Sequence, residues 1–153
     1  SGLISQDVTV QGVRPMSNAV ALPVEILRNV SQAVTGTVTA TPVAGTQYSF
    51  VTAATTNALS VKASAGSLLT MVVSNVTAST IYVKLYNKAS APTVGTDVPV
   101  MTFAVEAGKT LPVTFGELGS RFLTGIAIAV TAGAAATDTA AVTVGAQIHI
   151  TLL

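Results

Sequence analysis

His149 is the sole histidine of the chain and the first residue to examine for chemistry. Strand-like alternation places it on the polar face of the last predicted strand, beside Gln147 and Thr151. A metal site or a catalytic triad needs several ligands, or a base with a partner. The chain has no cysteine and no second histidine, so His149 is expected to be a surface or interface residue. Six carboxylates are present: Asp7, Glu25, Asp97, Glu106, Glu117 and Asp138. None falls in a calcium-loop spacing. Glu106 and Glu117 sit near opposite ends of one predicted hairpin. A glycosidase pair needs two acids flanking a sugar cleft; the other reading is a solvated hairpin rim or an inter-subunit ion pair. Tyr82, Lys84 and Tyr86 form an outward stripe on one predicted strand, with Lys88 beyond it. Two readings of it stay open: a contact patch rich in tyrosine, or a strip lying under a loop of the same domain. There is no GxxxxGK[ST] and no strand–GxGxxG–helix unit. Gly66, Gly95, Gly108, Gly119 and Gly133 fall where turns are needed. Asn29-Val30-Ser31 and Asn75-Val76-Thr77 match glycosylation acceptors, but without a visible secretory signal they read as chance matches. No catalytic residue, cofactor, metal or small-molecule substrate is expected, and the chain reads as a non-enzyme.

Composition points the same way. Of 153 residues, 50% are hydrophobic and only 8% charged, against a usual charged share of about 25%. The mean hydropathy of +0.66 suggests a membrane protein, yet the uncharged runs 29–61 and 122–137 are interrupted by Thr, Ser, Gln, Gly and Pro. Neither offers the roughly 20 apolar residues of a spanning helix, and aromatics at 5% are sparse for the girdles of a membrane barrel. The basic residues Arg14, Arg28, Lys62, Lys84, Lys88, Lys109 and Arg121 are scattered, which argues against nucleic acid. A surface so poor in charge suits a subunit covered by partners. The N-terminus lacks a basic start and an apolar core, and its leading Ser fits removal of an initiator Met, so cytoplasmic synthesis is expected.

These residues need elements to position them. Residues 1–33 read as an extended N-terminal arm, with a short strand at 7–13, a bend at 14–18 and an ambiguous segment at 20–34. From Val34 the period is two, and 34–153 reads as one domain. Strands are expected at 34–41, 47–52, 59–63, 68–74, 80–87, 99–105, 110–115, 121–131 and 141–152. The run 68–74 is apolar on both faces and suggests a central strand covered twice. In the last strand Val142, Val144, Ile148, Ile150 and Leu152 are expected inward. Short strands at this spacing predict an all-β fold: an antiparallel two-sheet sandwich with jelly-roll or Greek-key connectivity.

Four segments carry a resemblance: KASAGSLLTMVVSN, IYVKLYNKASAPTVGTDVPV, EAGKTLPVTF and RFLTGIAIAVTAGAAATDTAAV. The patterns LYNKAxAPTVGTDxPV and F-x-TGIA-x-A-x-T-x-GAA-x-x-DT are its specific parts. Together they resemble a domain of head-decoration (cement) and related virion proteins of tailed phages, over about residues 58–153. The resemblance implies a structural component at the capsid surface, made in the host cytoplasm, that bridges subunits of the major capsid protein as a homotrimer. Many weak contacts then add through multivalency. The arm is the expected bridge, through Leu3, Ile4, Val8, Val10, Arg14, Leu22, Ile26 and Leu27, with Tyr82, Lys84 and Tyr86 as a second patch. The alternative is a tail or fibre module that binds a host surface glycan or another tail protein.

Overall fold

β-Branched residues at alternate positions decide the architecture, because they pack well on a pleated surface with one face buried. The computed structural model describes residues 43–153. The readings placed on 1–42 therefore lie outside the described residues: the arm strand at 7–13, the segment at 20–34, the strand at 34–41, and Leu3, Ile4, Val8, Val10, Arg14, Leu22, Ile26 and Leu27. Pro42–Leu153 forms one compact unit. Among the described residues there are nine strands: β1 (Thr46–Val51), β2 (Leu59–Lys62), β3 (Gly66–Ser74), β4 (Ile81–Asn87), β5 (Met101–Val105), β6 (Thr110–Thr114), β7 (Ser120–Phe122), β8 (Ile126–Thr131) and β9 (Gln147–Leu152).

They form two antiparallel sheets. Sheet I has the order β1-β9-β3-β6, with β7 also paired to β3, and sheet II has the order β2-β8-β4-β5. Among the described strands the first, β1, pairs with the last, β9; β2 pairs with β8, and β4 with its successor β5. The core lies between the sheets. Leu68, Met71, Val73, Phe122, Ile148, Ile150 and Leu152 come from sheet I, and Ile81, Val83, Leu85, Val105, Ile126, Ile128 and Val130 from sheet II.

Four details depart from simple alternation. Leu68 and Met71 are both fully buried although three residues apart. On β9, Thr151 faces Thr70 while Leu152 faces Leu68, so Leu69 is an extra residue in the ladder; such a bulge resets which side chains point inward. The run 68–74 is also covered on one face only, since Leu69 and Val72 are half-buried. The doubly covered strand is β8, buried at all six positions. The expected single strand 121–131 is two: β7 pairs with β3 in sheet I, and the chain crosses at 123–125 to join sheet II as β8. Val144, expected inward, is 66% exposed; Gly145 beside it has φ 125°, a left-handed value that takes the chain out of register before β9 begins.

The crossing at Gly125 is tight. A Cβ there would fall 2.7 Å from the Ala89 Cα, 2.7 Å from the Lys62 O and 2.8 Å from the Lys88 O. All three are backbone atoms and none can swing away. Gly125→Ala is expected to cost about 2 kcal/mol through overpacking, read as a lower urea midpoint with an unchanged slope.

Candidate functional site

The two outer faces of the sandwich are finished differently. On sheet II, β4 turns Tyr82, Lys84 and Tyr86 away from the core and β8 contributes Ala127 and Ala129. Small residues on β8 let loops approach closely. Tyr86, Ala127 and Ala129 form a second apolar cluster, closed over by Ala58 and Val94. The loop after β8 lies over Lys84, whose Nζ donates to the Ala135 carbonyl at 2.6 Å and lies 3.5 Å from the Asp138 carbonyl. Asp138 holds that loop in shape by accepting from the Gly133 and Ala140 amides. The loop after β4 is braced separately, by the Lys88–Asp97 ion pair and by the Thr93 amide donating to Asp97. The two loops touch at Gly95, where a Cβ would lie 2.6 Å from the Thr139 Cγ2.

The stripe is therefore a covered strip. Tyr82 is half-buried, while Lys84 and Tyr86 are 0% and 1% exposed. The second of the two sequence readings describes Lys84 and Tyr86. Burial lowers the Lys84 pKa, partly opposed by the charge of Asp138, and burial raises that of the Tyr86 phenol, helped by Asp97. Asp97 is held below the usual carboxylate range by its hydrogen bond from Lys88 and then by the Thr93 amide. The Lys84 shift has a testable sign. Between its lowered value and the ordinary lysine value the unfolded chain binds the proton that the folded chain has released, so stability rises with pH across that window. Tyr86 acts in the opposite sense above the ordinary tyrosine value. Denaturation midpoints of the natural chain and of Lys84→Met, measured from neutral to alkaline pH, should diverge, with the rise shallower or absent in the variant.

Among the described residues no loop covers the outer face of sheet I in this way. Its outward residues align across four strands in three rows. Gln47, Thr151, Thr70 and Thr114 make one row, Ser49, His149, Val72 and Pro112 the next, and Val51, Gln147, Ser74 and Thr110 the third. All are exposed or half-buried, and none carries a formal charge. His149 sits in the middle row, between Ser49 and Val72 on its neighbouring strands. Val76 and Val144, exposed at the end where β3 stops and β9 begins, extend the third row with apolar surface. Beyond these three rows the face does carry charge: Arg121 of β7 stands outward opposite Ser67 of β3, and Lys109 and Glu117 flank β6.

The other candidates are not brought together. Glu106 lies in the β5–β6 turn and Glu117 beyond the far end of β6. A five-residue strand separates them by about 17 Å. Among the described residues no group of three His, Asp or Glu could hold a metal ion, and no helix is long and apolar enough to cross a membrane. Asn75 is fully buried and its amide is committed to protein partners, so the tripeptide there presents no accessible acceptor. The uncharged grid escaped sequence reasoning, although a signal existed: every outward position of 47–51, 70–74, 110–114 and 147–151 is uncharged. Compared with known families the chain matches no family model, and it matches no curated protein sequence.

Proposed function

We propose that the chain is a non-enzymatic structural protein of a tailed-phage virion, a capsid decoration protein that lays the open face of sheet I against the major capsid protein. The observation that carries this reading is the contrast between the two outer faces. The β8 and β4 part of one is covered by the chain's own loops, whereas the aligned positions of β1, β9, β3 and β6 on the other carry no formal charge and, among the described residues, no covering loop. Neutral polar side chains interspersed with Val51, Val72 and Pro112 cost far less to take out of water than charged ones, provided the partner completes their hydrogen bonds. The likeness of residues 58–153 to cement proteins supplies the kind of partner, and in that reading the protein acts as a homotrimer. The glycan-binding alternative drew on Tyr82 and Tyr86 as a stacking platform. Tyr86 is buried, so that pair offers no aromatic groove.

The test is a charge placed in the centre of the face. Val72→Lys and Ser49→Lys sit on the solvent side of the sheet and are expected to change folding stability by less than about 0.5 kcal/mol. Binding to purified shells should fall at least tenfold, because each variant buries an unpaired ammonium. Unchanged shell binding in both variants, or an imaged virion with the protein on the tail, would reject the reading.

A further inference from the structure

The β5 side of the sandwich is unfinished in a way that the open face of sheet I does not explain. Met101, Phe103, Leu111, Val113 and Phe115 point toward the core from β5, from β6 and from just beyond it, yet all five are only partly buried. Phe103 and Phe115 stack edge to face at 6.5 Å beside the gap. An open slot of about 290 Å³ lies at the β5–β6 turn end of this side, lined by Ala104, Val105, Glu106, Lys109, Thr110 and Leu111. β5 is paired on one side with β4, and among the described residues nothing pairs with its other side.

Exposed strand edges are usually blunted by charge, proline, bulges or shortness. Two other edges here are. β6 carries Pro112, which removes a donor, and β2 is four residues long, with Lys62 and a register shift. β1 runs on from residues outside the described part. β5, MTFAV, has no charge, proline or bulge.

We propose that β5 is a seam at which a second copy of this chain pairs, antiparallel, about a two-fold axis at Phe103. That register is the one that uses all five residues. It sets Met101 against Val105 of the other copy, Thr102 against Ala104, and Phe103 against Phe103. Residues facing one another in an antiparallel pair share a face, so the apolar set Met101, Phe103 and Val105 meets its like on the core side, and the exposed Thr102 and Ala104 meet on the outside. No charge enters the seam. Glu106 and Lys109 of the two copies fall at opposite ends of it, away from their like. The seam is about 17 Å long and gains from covering the five half-buried side chains. It is independent of the shell-binding reading, and it is compatible with a three-fold assembly, in which it would join one trimer to the next.

The chain contains no cysteine, which allows a direct test. Under mild oxidation at about 100 µM, Thr102→Cys/Ala104→Cys is expected to give an interchain disulfide in high yield, since facing Cα atoms lie about 4.5–5.5 Å apart. Thr102→Cys alone and Ala104→Cys alone should not. Failure of the double variant to cross-link, or equal cross-linking by a single variant, overturns the seam. Thr102→Lys/Ala104→Lys alters two exposed side chains and should leave the β-sheet circular dichroism spectrum in place while halving the mass seen by light scattering, and it should remove any dependence of the denaturation midpoint on protein concentration. An unchanged mass overturns the seam as well. Val72→Lys, which blocks the other face, should leave both readouts unaltered.

Discussion

Phe122→Ala is expected to remove about 4 kcal/mol of folding stability, within the range for deleting a buried aromatic side chain. Phe122 is 2% exposed and belongs to the main core. It is the last residue of β7, immediately before the chain leaves sheet I for sheet II. Its ring fills space between the sheets, and a nearby backbone crossing pinned at Gly125 limits how far the walls can collapse. Total stabilities of single domains are about 5–15 kcal/mol, so this one change removes a large part. For a domain near this size each kcal/mol moves Tm by about 4–8 °C. A calorimetric scan should show a fall of at least about 15 °C. A fall under about 5 °C would mean that the core repacks around the lost ring and that the two sheets are not held as described.

Asn75→Ala is expected to cost about 3 kcal/mol without deleting any large side chain. Asn75 is fully buried at the end of β3. Its amide nitrogen donates to the carbonyls of Ser79 and Val105, at 2.8 Å each, with Glu106 O at 3.2 Å. Its carbonyl accepts from the amide and the hydroxyl of Thr77. One side chain thus ties the β3–β4 turn to the β5–β6 turn, and so the end of sheet I to the end of sheet II. Alanine leaves these carbonyls unpaired in a dry place, at roughly 1–3 kcal/mol for a buried unsatisfied group plus the bonds lost. Asn75→Asp should be at least as damaging, because a carboxylate would face three carbonyl oxygens. Hydrogen exchange should localise the effect, with amides of 75–81 and 105–110 losing protection before those of β8.

Much of the fold was legible in the residues. The alternations Ile81-Val83-Leu85, Ile126-Ile128-Val130 and Ile148-Ile150-Leu152 each point one apolar set inward, and the structure buries all nine. A period of two tells which side of a strand is buried. It is blind to where a ladder slips, and so it could not show the extra residue at Leu69 or the bend at Gly145. It also cannot tell a straight strand from two short ones, which is why 121–131 read as a single element. The site was less legible for a related reason. Lys84 and Tyr86 alternate as solvent-facing residues should, and what covers them is distant in sequence: Ala58, Val94 and the loop around Ala135. Likewise Ser49, His149, Val72 and Pro112 are unremarkable on four separate strands. They become a surface only through the adjacency of β1, β9, β3 and β6, which depends on pairings up to about a hundred residues apart.

The pairing of β1 with β9 also dictates when this molecule can assemble. β9 lies between β1 and β3, so sheet I has no continuous ladder until residues 147–152 have left the ribosome. A nascent chain must hold Tyr48 and Phe50 of β1 without their ladder partner until β9 has been made. Closure then demands the longest loops the domain contains, and folds dominated by such distant pairings take milliseconds to seconds rather than microseconds. With so few charges to keep growing chains apart, the yield of native protein should be limited by encounters between unfinished molecules, and slower synthesis at lower temperature should raise it.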